Sequence, residues 1–436
     1  MNYDETIEFL FSSLPMYQRI GDAAIKKDLT NIRLLCHLLD EPQQNFPCIH
    51  VAGTNGKGST SHMLASIFQA AGKKVGLYTS PHYVDFRERI KINGKKISEN
   101  DVVQFVKNWN EKWQTIQPSF FEITVAMAFD YFRNEKVDIA IIETGLGGRL
   151  DSTNIISPLL SVITNIGYDH MQLLGMTLPE IAFEKAGIIK KNIPVIIGEW
   201  QKQTAEVFKK KAKKEGAPIH FAAKHIFLEP TNGDILKGAY RVKMRSGEWS
   251  GKIESDLTGP YQKKNIRTVL ESLWCWNNYY PDQVISVNHI MYGLKNVKKS
   301  TSMIGRWMVI RDNPLVLTDA AHNIDGIKSI LPDLLKIPSK KRHFVLGFVS
   351  DKDVKKILSL FPHDGLYYWC SPAIPRGKPS LETMTAGNDL GLKGNSFNSV
   401  INAYNEALAN AAKNDLVFVG GSSYVVGDFL AGMNKE

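Results

Sequence analysis

Over the first half of the chain, short and continuously apolar runs alternate with longer stretches of helical spacing. The runs at 49–52, 75–79, 139–143, 160–164 and 195–197 lack the polar alternation of a half-wet strand, which predicts buried parallel strands. Between them, residues 59–71, 99–116, 121–133 and 178–189 carry apolar positions at helical intervals. Ser98 followed by Asp101, and Thr177 followed by Glu180, supply capping-box start signals. Asn93-Gly94, set between two apolar-alternating segments, marks a hairpin. This alternation predicts a doubly wound α/β domain.

Residues 221–251 turn β-rich and irregular, and helical spacing returns at 262–276. The polar, lysine-rich stretch at 295–301 reads as a linker. A second α/β series follows, with strands expected at 315–318, 343–348, 366–369 and 416–420. Helices are expected at 323–335, 353–361, 381–390 and 400–412. The expected division is therefore 1–298 and 299–436, consistent with a length of 436 residues, too long for one ordinary core.

Composition narrows the class. With 43% hydrophobic and 22% charged residues, the chain reads as soluble and globular. No basic-then-apolar leader and no apolar run long enough to span a bilayer stand in it, so a cytoplasmic location without a membrane partner is expected. Cys36, Cys48, Cys275 and Cys370 are scattered and form no CxxC, which argues against a disulfide scaffold or a cysteine-held zinc. The net charge of +9 suits anionic partners such as ATP or a polycarboxylate. The densest basic run, 209–214, ends a helix-like stretch from Gln201 without interleaved aromatics, so no nucleic-acid partner is expected.

The chemistry concentrates where strands end. Gly53-Thr54-Asn55-Gly56-Lys57-Gly58-Ser59-Thr60 lies between a predicted strand and a predicted helix. Glycines let backbone N–H groups cradle phosphate, the helix start adds positive potential, and Lys57 adds a charge. The generic phosphate loop has Ser or Thr directly after the lysine, whereas here Gly58 intervenes. Glu143 ends another strand and opens the Gly-rich segment 145–148, which runs through Leu150, Asp151 and Ser152 to Asn154. A carboxylate beside a phosphate loop suits Mg²⁺, which takes oxygen donors. His170, after Thr164-Asn165-Ile166-Gly167-Tyr168-Asp169, has three readings: metal ligand, acid/base, or hydrogen-bonded loop residue. Lys185 sits in an apolar helix, either as a snorkelling stem or as a buried amine with a shifted pKa. Ser80, in Thr79-Ser80-Pro81-His82, is a candidate second hydroxyl or part of a simple turn. Asp319, His322 and Asn323 are candidates for ribose and phosphate contacts, or else form a capped helix start. Residues 350–353 carry the same ambiguity.

These motifs together resemble the folylpolyglutamate synthase/dihydrofolate synthase family, within the Mur-ligase-like group of ATP-dependent amide ligases. Residues 53–59 with the Lys-Gly-Ser order, 143–154, 79–82, the Lys185 helix, 259–265, Gly305-Arg306 and 319–323 carry the resemblance, across nearly the whole chain. The chain departs from the family where Tyr261 stands for a frequent His, and where Ala320 and Ile324 stand for Gly and Pro. The resemblance implies a Mur-ligase central-type phosphate-loop domain followed by a smaller Rossmann-like domain. It implies that Gly53 to Ser59, Asn265, Arg306, Asp319 and His322 bind ATP. Ser80, Glu143, His170 and a carbamylated Lys185 would hold Mg²⁺ at two sites. Thr79, Ser119, Phe120, Phe121, Glu122, Leu150, Asp151 and Ser152 would bind the folate or pteroate.

The reaction implied is phosphorylation of a substrate carboxylate by ATP, followed by attack of the L-glutamate amine. Such transfer needs positioning and charge neutralisation more than covalent help, the part of Lys57, Arg306 and magnesium. The substrates implied are dihydropteroate and reduced folates, acted on by a monomer. The alternatives are a folylpolyglutamate synthase without the first activity, and a nucleotide-dependent switch without ligase chemistry.

Overall fold

The run around residue 50 becomes β1 (Cys48–Ala52), buried at every position and paired in parallel on both sides. A strand flanked in this way has no wet face, which explains its lack of polar alternation. The computed structural model describes residues 1–16, 19, 21, 28–231, 236, 238–245, 247 and 249–433. It divides into two units. The first comprises Met1–Pro81, Phe86–Leu257 and Tyr261–Met303; the second comprises His82–Asp85, Thr258–Pro260 and Ile304–Glu436.

The main sheet of the first unit adds β2 (Val75–Tyr78), β3 (Ile90–Ile92), β4 (Lys95–Lys96), β5 (Ile139–Glu143), β6 (Leu160–Ile163), β7 (Val195–Ile197) and β8 (Ile219–Phe221). Their order is β4-β3-β2-β5-β1-β6-β7-β8, parallel except for the edge hairpin β3–β4. That hairpin turns at Asn93 and Gly94, both with positive φ (47° and 75°), the type I′ geometry that Asn-Gly predicts. Successive β5 residues serve opposite layers. Ile139 and Ile141 pack with Met63, Leu64 and Phe68, while Ala140 and Ile142 pack with Ile123, Met127 and Phe129. From β1 the chain runs first to one side of the sheet and later to β6 on the other. The carboxyl ends of β5, β1 and β6 therefore flank a topological switch point, where open α/β sheets bind ligands.

The helix after β1, Lys57–Ala70, is buried from Ser59 through Phe68, because the helices Gln262–Tyr279 and Val287–Lys295 cover the side turned away from the sheet. The stretch at 295–301 is not a linker. It ends Val287–Lys295 and forms a further helix, Val297–Thr301, with Val297 and Thr301 buried four residues apart on one face. Thr301 Oγ1 lies 2.7 Å from His62 Nδ1, while Lys298 is half-buried and Lys299 is exposed. Their charge suggested a loop, but one buried stripe is enough to dock a short helix.

The β-rich region is a three-stranded antiparallel sheet, β9 (Ile226–Pro230), β10 (Gly238–Met244) and β11 (Ser250–Ser255), in the order β11-β10-β9. Residues 232–235, 237, 246 and 248 of that region lie outside the described residues. Two helices that the hydrophobic pattern above does not anticipate, Tyr3–Ser13 and Thr30–Leu38, contribute to the core through Leu10, Ile32 and Leu35. Asn2 and Glu5 close a capping box at the first of them, a local signal that could have revealed it.

The second unit is a sheet of order β12-β13-β17-β14-β15-β16. Its strands are β12 (Met308–Asp312), β13 (Leu315–Asp319), β14 (Arg342–Leu346), β15 (Leu366–Cys370), β16 (Gly394–Phe397) and β17 (Leu416–Gly420). Only β12 runs antiparallel. Helices Ile324–Leu334, Val354–Leu358, Ser380–Asn388 and Val400–Asn410 stand near their expected places. β12, β16 and the helix Ser423–Met433 were not anticipated.

Candidate active site

The phosphate loop is closely packed and hydrogen-bonded to the segment after β6. Gly53 has φ 151°, and a methyl group there would lie 1.8 Å from Thr164 Oγ1. Gly56 caps the helix in the left-handed region (φ 86°), where a methyl would lie 2.2 Å from Asn265 Oδ1. These two positions admit only glycine, for reasons of both conformation and space. The segment after β6 braces the loop. Thr54 N donates to Asn165 O (2.9 Å), Asn55 N to Asn165 Oδ1 (2.9 Å), and Thr164 Oγ1 to Asn55 O (2.7 Å). Gly167 N in turn donates to Thr54 Oγ1 at 3.0 Å. Neither Thr164 nor Asn165 is recognisable as a loop support in the sequence, because the β1–β6 register alone brings them here.

Two lysines converge on one carbonyl. Lys57 Nζ donates to Gly53 O at 3.2 Å, and Lys185 Nζ donates to the same oxygen at 2.9 Å. Lys185 is not a snorkelling stem, since it is 3% exposed. Burial pushes its pKa down to about 7, and the neighbouring Lys57 charge adds to that fall; Asp169 and Asp151 oppose it. Asp169, a neighbour that the sequence reading left without a role, thus belongs to this cluster.

Glu143 ends β5 with its side chain buried, and Ser80 N donates to its Oε2 at 3.4 Å. A methyl on Gly58 would sit 3.7 Å from the same oxygen, so the carboxylate borders the start of the phosphate-loop helix. His170 adopts the left-handed region (φ 49°), which costs a residue with a side chain about 1–2 kcal/mol. Its backbone N donates to Asp169 Oδ1 at 3.0 Å.

The Gly-rich segment after β5 is organised by Asp151. Its Oδ2 accepts from Leu146 N (2.8 Å), and its Oδ1 accepts from Thr153 N (3.0 Å) and Thr153 Oγ1 (2.5 Å). Burial raises its carboxyl pKa against these donors. His50 Nε2 lies 2.8 Å from Thr153 Oγ1, and burial lowers its pKa to about 3, so this ring stays neutral.

The residues expected to hold a pteroate divide by environment. Ser119 and Glu122 form a reciprocal capping box on the helix Phe120–Asn134. Phe120 is 3% exposed and packs edge-on against Phe11 and Phe86. Phe121 remains half-buried beside Gly145, where a methyl would touch its ring at 2.4 Å. Thr79 is buried, and Leu150 and Ser152 are half-buried.

Asn265 stands on the helix Gln262–Tyr279, where its Nδ2 donates to Gln262 Oε1 (2.8 Å) and Gln262 Nε2 donates to Ser59 Oγ (3.2 Å). In the second unit, Asp319 ends β13 and accepts from Trp307 N (2.7 Å) and Ala321 N (2.8 Å). Arg306 lies 5.7 Å over the Tyr83 ring, and His322 Nδ1 lies 2.9 Å from Ala320 O. Asn323 is the cap of Ile324–Leu334 and accepts from Gly326 N.

A parallel sheet with this loop, acid and buried lysine defines a class. Residues 51–272 match the Mur ligase middle domain, and residues 305–423 match the Mur ligase, glutamate ligase domain. The dihydrofolate synthase/folylpolyglutamate synthase of Bacillus subtilis is 34% identical over 345 residues, covering 77% of this chain and 78% of its own. The folylpolyglutamate synthase of Lacticaseibacillus casei is also 34% identical, over 362 residues, covering 81% of each chain. The structure of E. coli FolC in complex with DHPP and ADP superposes with a TM-score of 0.84 at 27% identity, covering 100% of this chain and 98% of that one. A bifunctional folylpolyglutamate synthase/dihydrofolate synthase from Yersinia pestis, complexed with AMPPNP and a Mn ion, gives 0.83 at 27% identity over the same shares. The chain belongs to the folylpolyglutamate synthase/dihydrofolate synthase family. Among its described residues, no helix is long and apolar enough to cross a membrane.

Proposed function

We propose that this chain is an ATP-dependent ligase that joins L-glutamate to dihydropteroate, and to the terminal glutamate of reduced folates, through an acyl phosphate. The observation that carries the reading is the convergence of Lys57 and the buried Lys185 on the Gly53 carbonyl. A phosphate loop that only binds nucleotide has no use for a second, desolvated amine. A neutral amine, by contrast, adds to CO₂, forming an N–C bond and releasing a proton. The resulting carbamate is an oxygen ligand beside Lys57.

The residues fit a divalent cation. Glu143 and a carbamylated Lys185 offer oxygens, Ser80 a hydroxyl and His170 an imidazole, a donor set suited to Mg²⁺ at two sites. When bound, the ion neutralises charge on the phosphates. The chain's own residues do the rest. Backbone N–H groups of the loop hold the phosphates, and Lys57 offsets charge that develops during transfer. Asn265, Arg306, Asp319 and His322 are proposed nucleotide contacts. Phe121, the half-open aromatic of the group Thr79, Ser119, Phe120, Phe121, Glu122, Leu150, Asp151 and Ser152, is proposed to stack on the pteroate ring. Phe120, Ser119 and Glu122 hold it in place through core packing and the capping box.

The protein is further proposed to act as a cytoplasmic monomer on small molecules, without nucleic-acid or membrane partners. Its four cysteines are all free and buried, in keeping with a reducing compartment. A folylpolyglutamate synthase alone is the second reading, favoured by the Lacticaseibacillus casei relative, which matches as well as the bifunctional one.

The test is ADP release by the purified chain with Mg²⁺-ATP and L-glutamate, with products identified by mass. Glutamylated product from both dihydropteroate and tetrahydrofolate is the expected result. Product from tetrahydrofolate alone establishes the second reading. Bound ATP without product from either overturns the ligase reading.

A further inference from the structure

We infer that His220, His225 and Glu271 form a separate site for a borderline transition-metal cation such as Zn²⁺. The three residues offer ligand atoms that all lie within 4.8 Å of one another. Glu271 Oε1 is 2.7 Å from His225 Nδ1 and 3.9 Å from His220 Nδ1. Sequence separation hides this group. His220 lies in β8, His225 ends the short helix Ala222–His225, and Glu271 lies on Gln262–Tyr279. Glu271 is six residues beyond Asn265, about 9 Å along the helix axis, so the group is distinct from the phosphate-loop cluster.

A simple ion pair explains only part of the arrangement. One histidine suffices to pair a buried carboxylate, yet two imidazoles face the same oxygen. Protonating both would set two cations side by side. A shared metal uses both rings in their neutral form and keeps the carboxylate ionised. The nitrogen that His220 turns toward Glu271 is Nδ1, as in His225, so both rings present the same atom to the shared carboxylate oxygen. Lys224, between the two histidines in sequence, turns its ammonium onto the Trp200 and Phe221 rings. The Trp274 ring stands 5.9 and 6.1 Å from the His220 and His225 rings, giving the group an apolar wall.

Two imidazole nitrogens and one carboxylate oxygen favour Zn²⁺ or Co²⁺ over Mg²⁺, which prefers oxygen alone. The His225 side chain is 43% exposed, which gives a cation and a water ligand access from solvent. The ligand atoms must adjust by about 1 Å to reach the spacing of a tetrahedral site with bonds near 2.1 Å. Bound there, a cation would tie the sheet edge at β8 to the helix that carries Asn265.

The test is Co²⁺ titration of the full chain, stripped of metal and kept in excess Mg²⁺, followed by visible absorption. One equivalent is expected to give the d–d bands of a nitrogen- and oxygen-ligated ion, and Zn²⁺ is expected to displace it. His225→Ala, at a half-exposed position that leaves the core intact, should weaken binding at least ~10-fold, and Glu271→Gln should do the same. His170→Ala should leave the bands unchanged. Absence of bands, bands that persist in both site variants, or bands lost only in His170→Ala would each overturn the inference.

Discussion

Replacing Lys185 by methionine separates chemistry from folding. A lysine at the ordinary value of 10.5 is free amine in roughly 1 molecule in 3,000 at pH 7, whereas at about 7 it is free in about half, a gain of about a thousandfold. Only the free amine adds to CO₂. The native chain is therefore expected to lose turnover in CO₂-free buffer and to recover it with bicarbonate. Its activity should fall as pH drops below about 7, where Lys185 becomes protonated. Lys185→Met is expected to be inactive yet to bind nucleotide, and Lys185→Glu to recover part of the activity. The same substitution should stabilise the fold. Discharging a lysine of 10.5 down to about 7 costs about 4–5 kcal/mol. The Gly53 carbonyl keeps Lys57 as a donor, so a net gain of about 2–4 kcal/mol is expected for the methionine variant. The sign follows from proton uptake: between about 7 and 10.5 the unfolded chain binds a proton at this residue that the native chain does not. The advantage of Lys185→Met is thus full below about 7 and fades as pH rises to 10.5. Turnover assays with and without bicarbonate, paired with chemical denaturation across that range in CO₂-free buffer, read both effects. Near-normal activity in Lys185→Met, or a native pH profile flat through 7 and indifferent to bicarbonate, would refute the reasoning.

Glu143→Ala should abolish divalent-cation-dependent turnover, and an unchanged dependence of rate on Mg²⁺ would remove the carboxylate from its role. Gly56→Ala forces a left-handed alanine, costing about 1–2 kcal/mol, against Asn265 Oδ1. Calorimetric ATP affinity should fall at least ~10-fold. Lys91 is 3% exposed and donates to the Thr301 and Ser302 carbonyls at 3.0 and 3.2 Å. Lys91→Ala strands both at a cost of about 2–4 kcal/mol but also removes a lysine whose pKa burial lowers to about 8, so the net loss should stay below about 2 kcal/mol at pH 7 and grow as pH rises towards 10.5, read by chemical denaturation.

Much of the architecture is legible because its signals are local. Five apolar runs, a capping box at Thr177 and the Asn93-Gly94 turn each act within a few residues, so period and turn chemistry identify them directly. The phosphate loop is legible for the same reason: the glycines and Lys57 must be close in sequence to wrap one anion. Misreadings arise where packing overrides local composition. The lysine-rich stretch near 298 is charged enough for a loop, but Val297 and Thr301 find a buried face against the helix Lys57–Ala70. Asp319, a candidate ribose contact from the sequence, holds the Trp307 and Ala321 N–H groups, a role that no local pattern reveals.

By itself, then, the order of residues determined most of the elements, the class of sheet and the anion-binding turn, since each of these depends on signals spanning a few residues. The tertiary structure decided what lies against what. The Thr164-Asn165 brace depends on the β1–β6 register, and the depressed pKa of Lys185 depends on its burial and on the Lys57 charge more than a hundred residues away in sequence. The meeting of His220, His225 and Glu271 depends on three separate elements, β8, the short helix after it and the helix Gln262–Tyr279, coming together. Desolvation and charge–charge interaction act through space, so a pKa is a property of the folded neighbourhood.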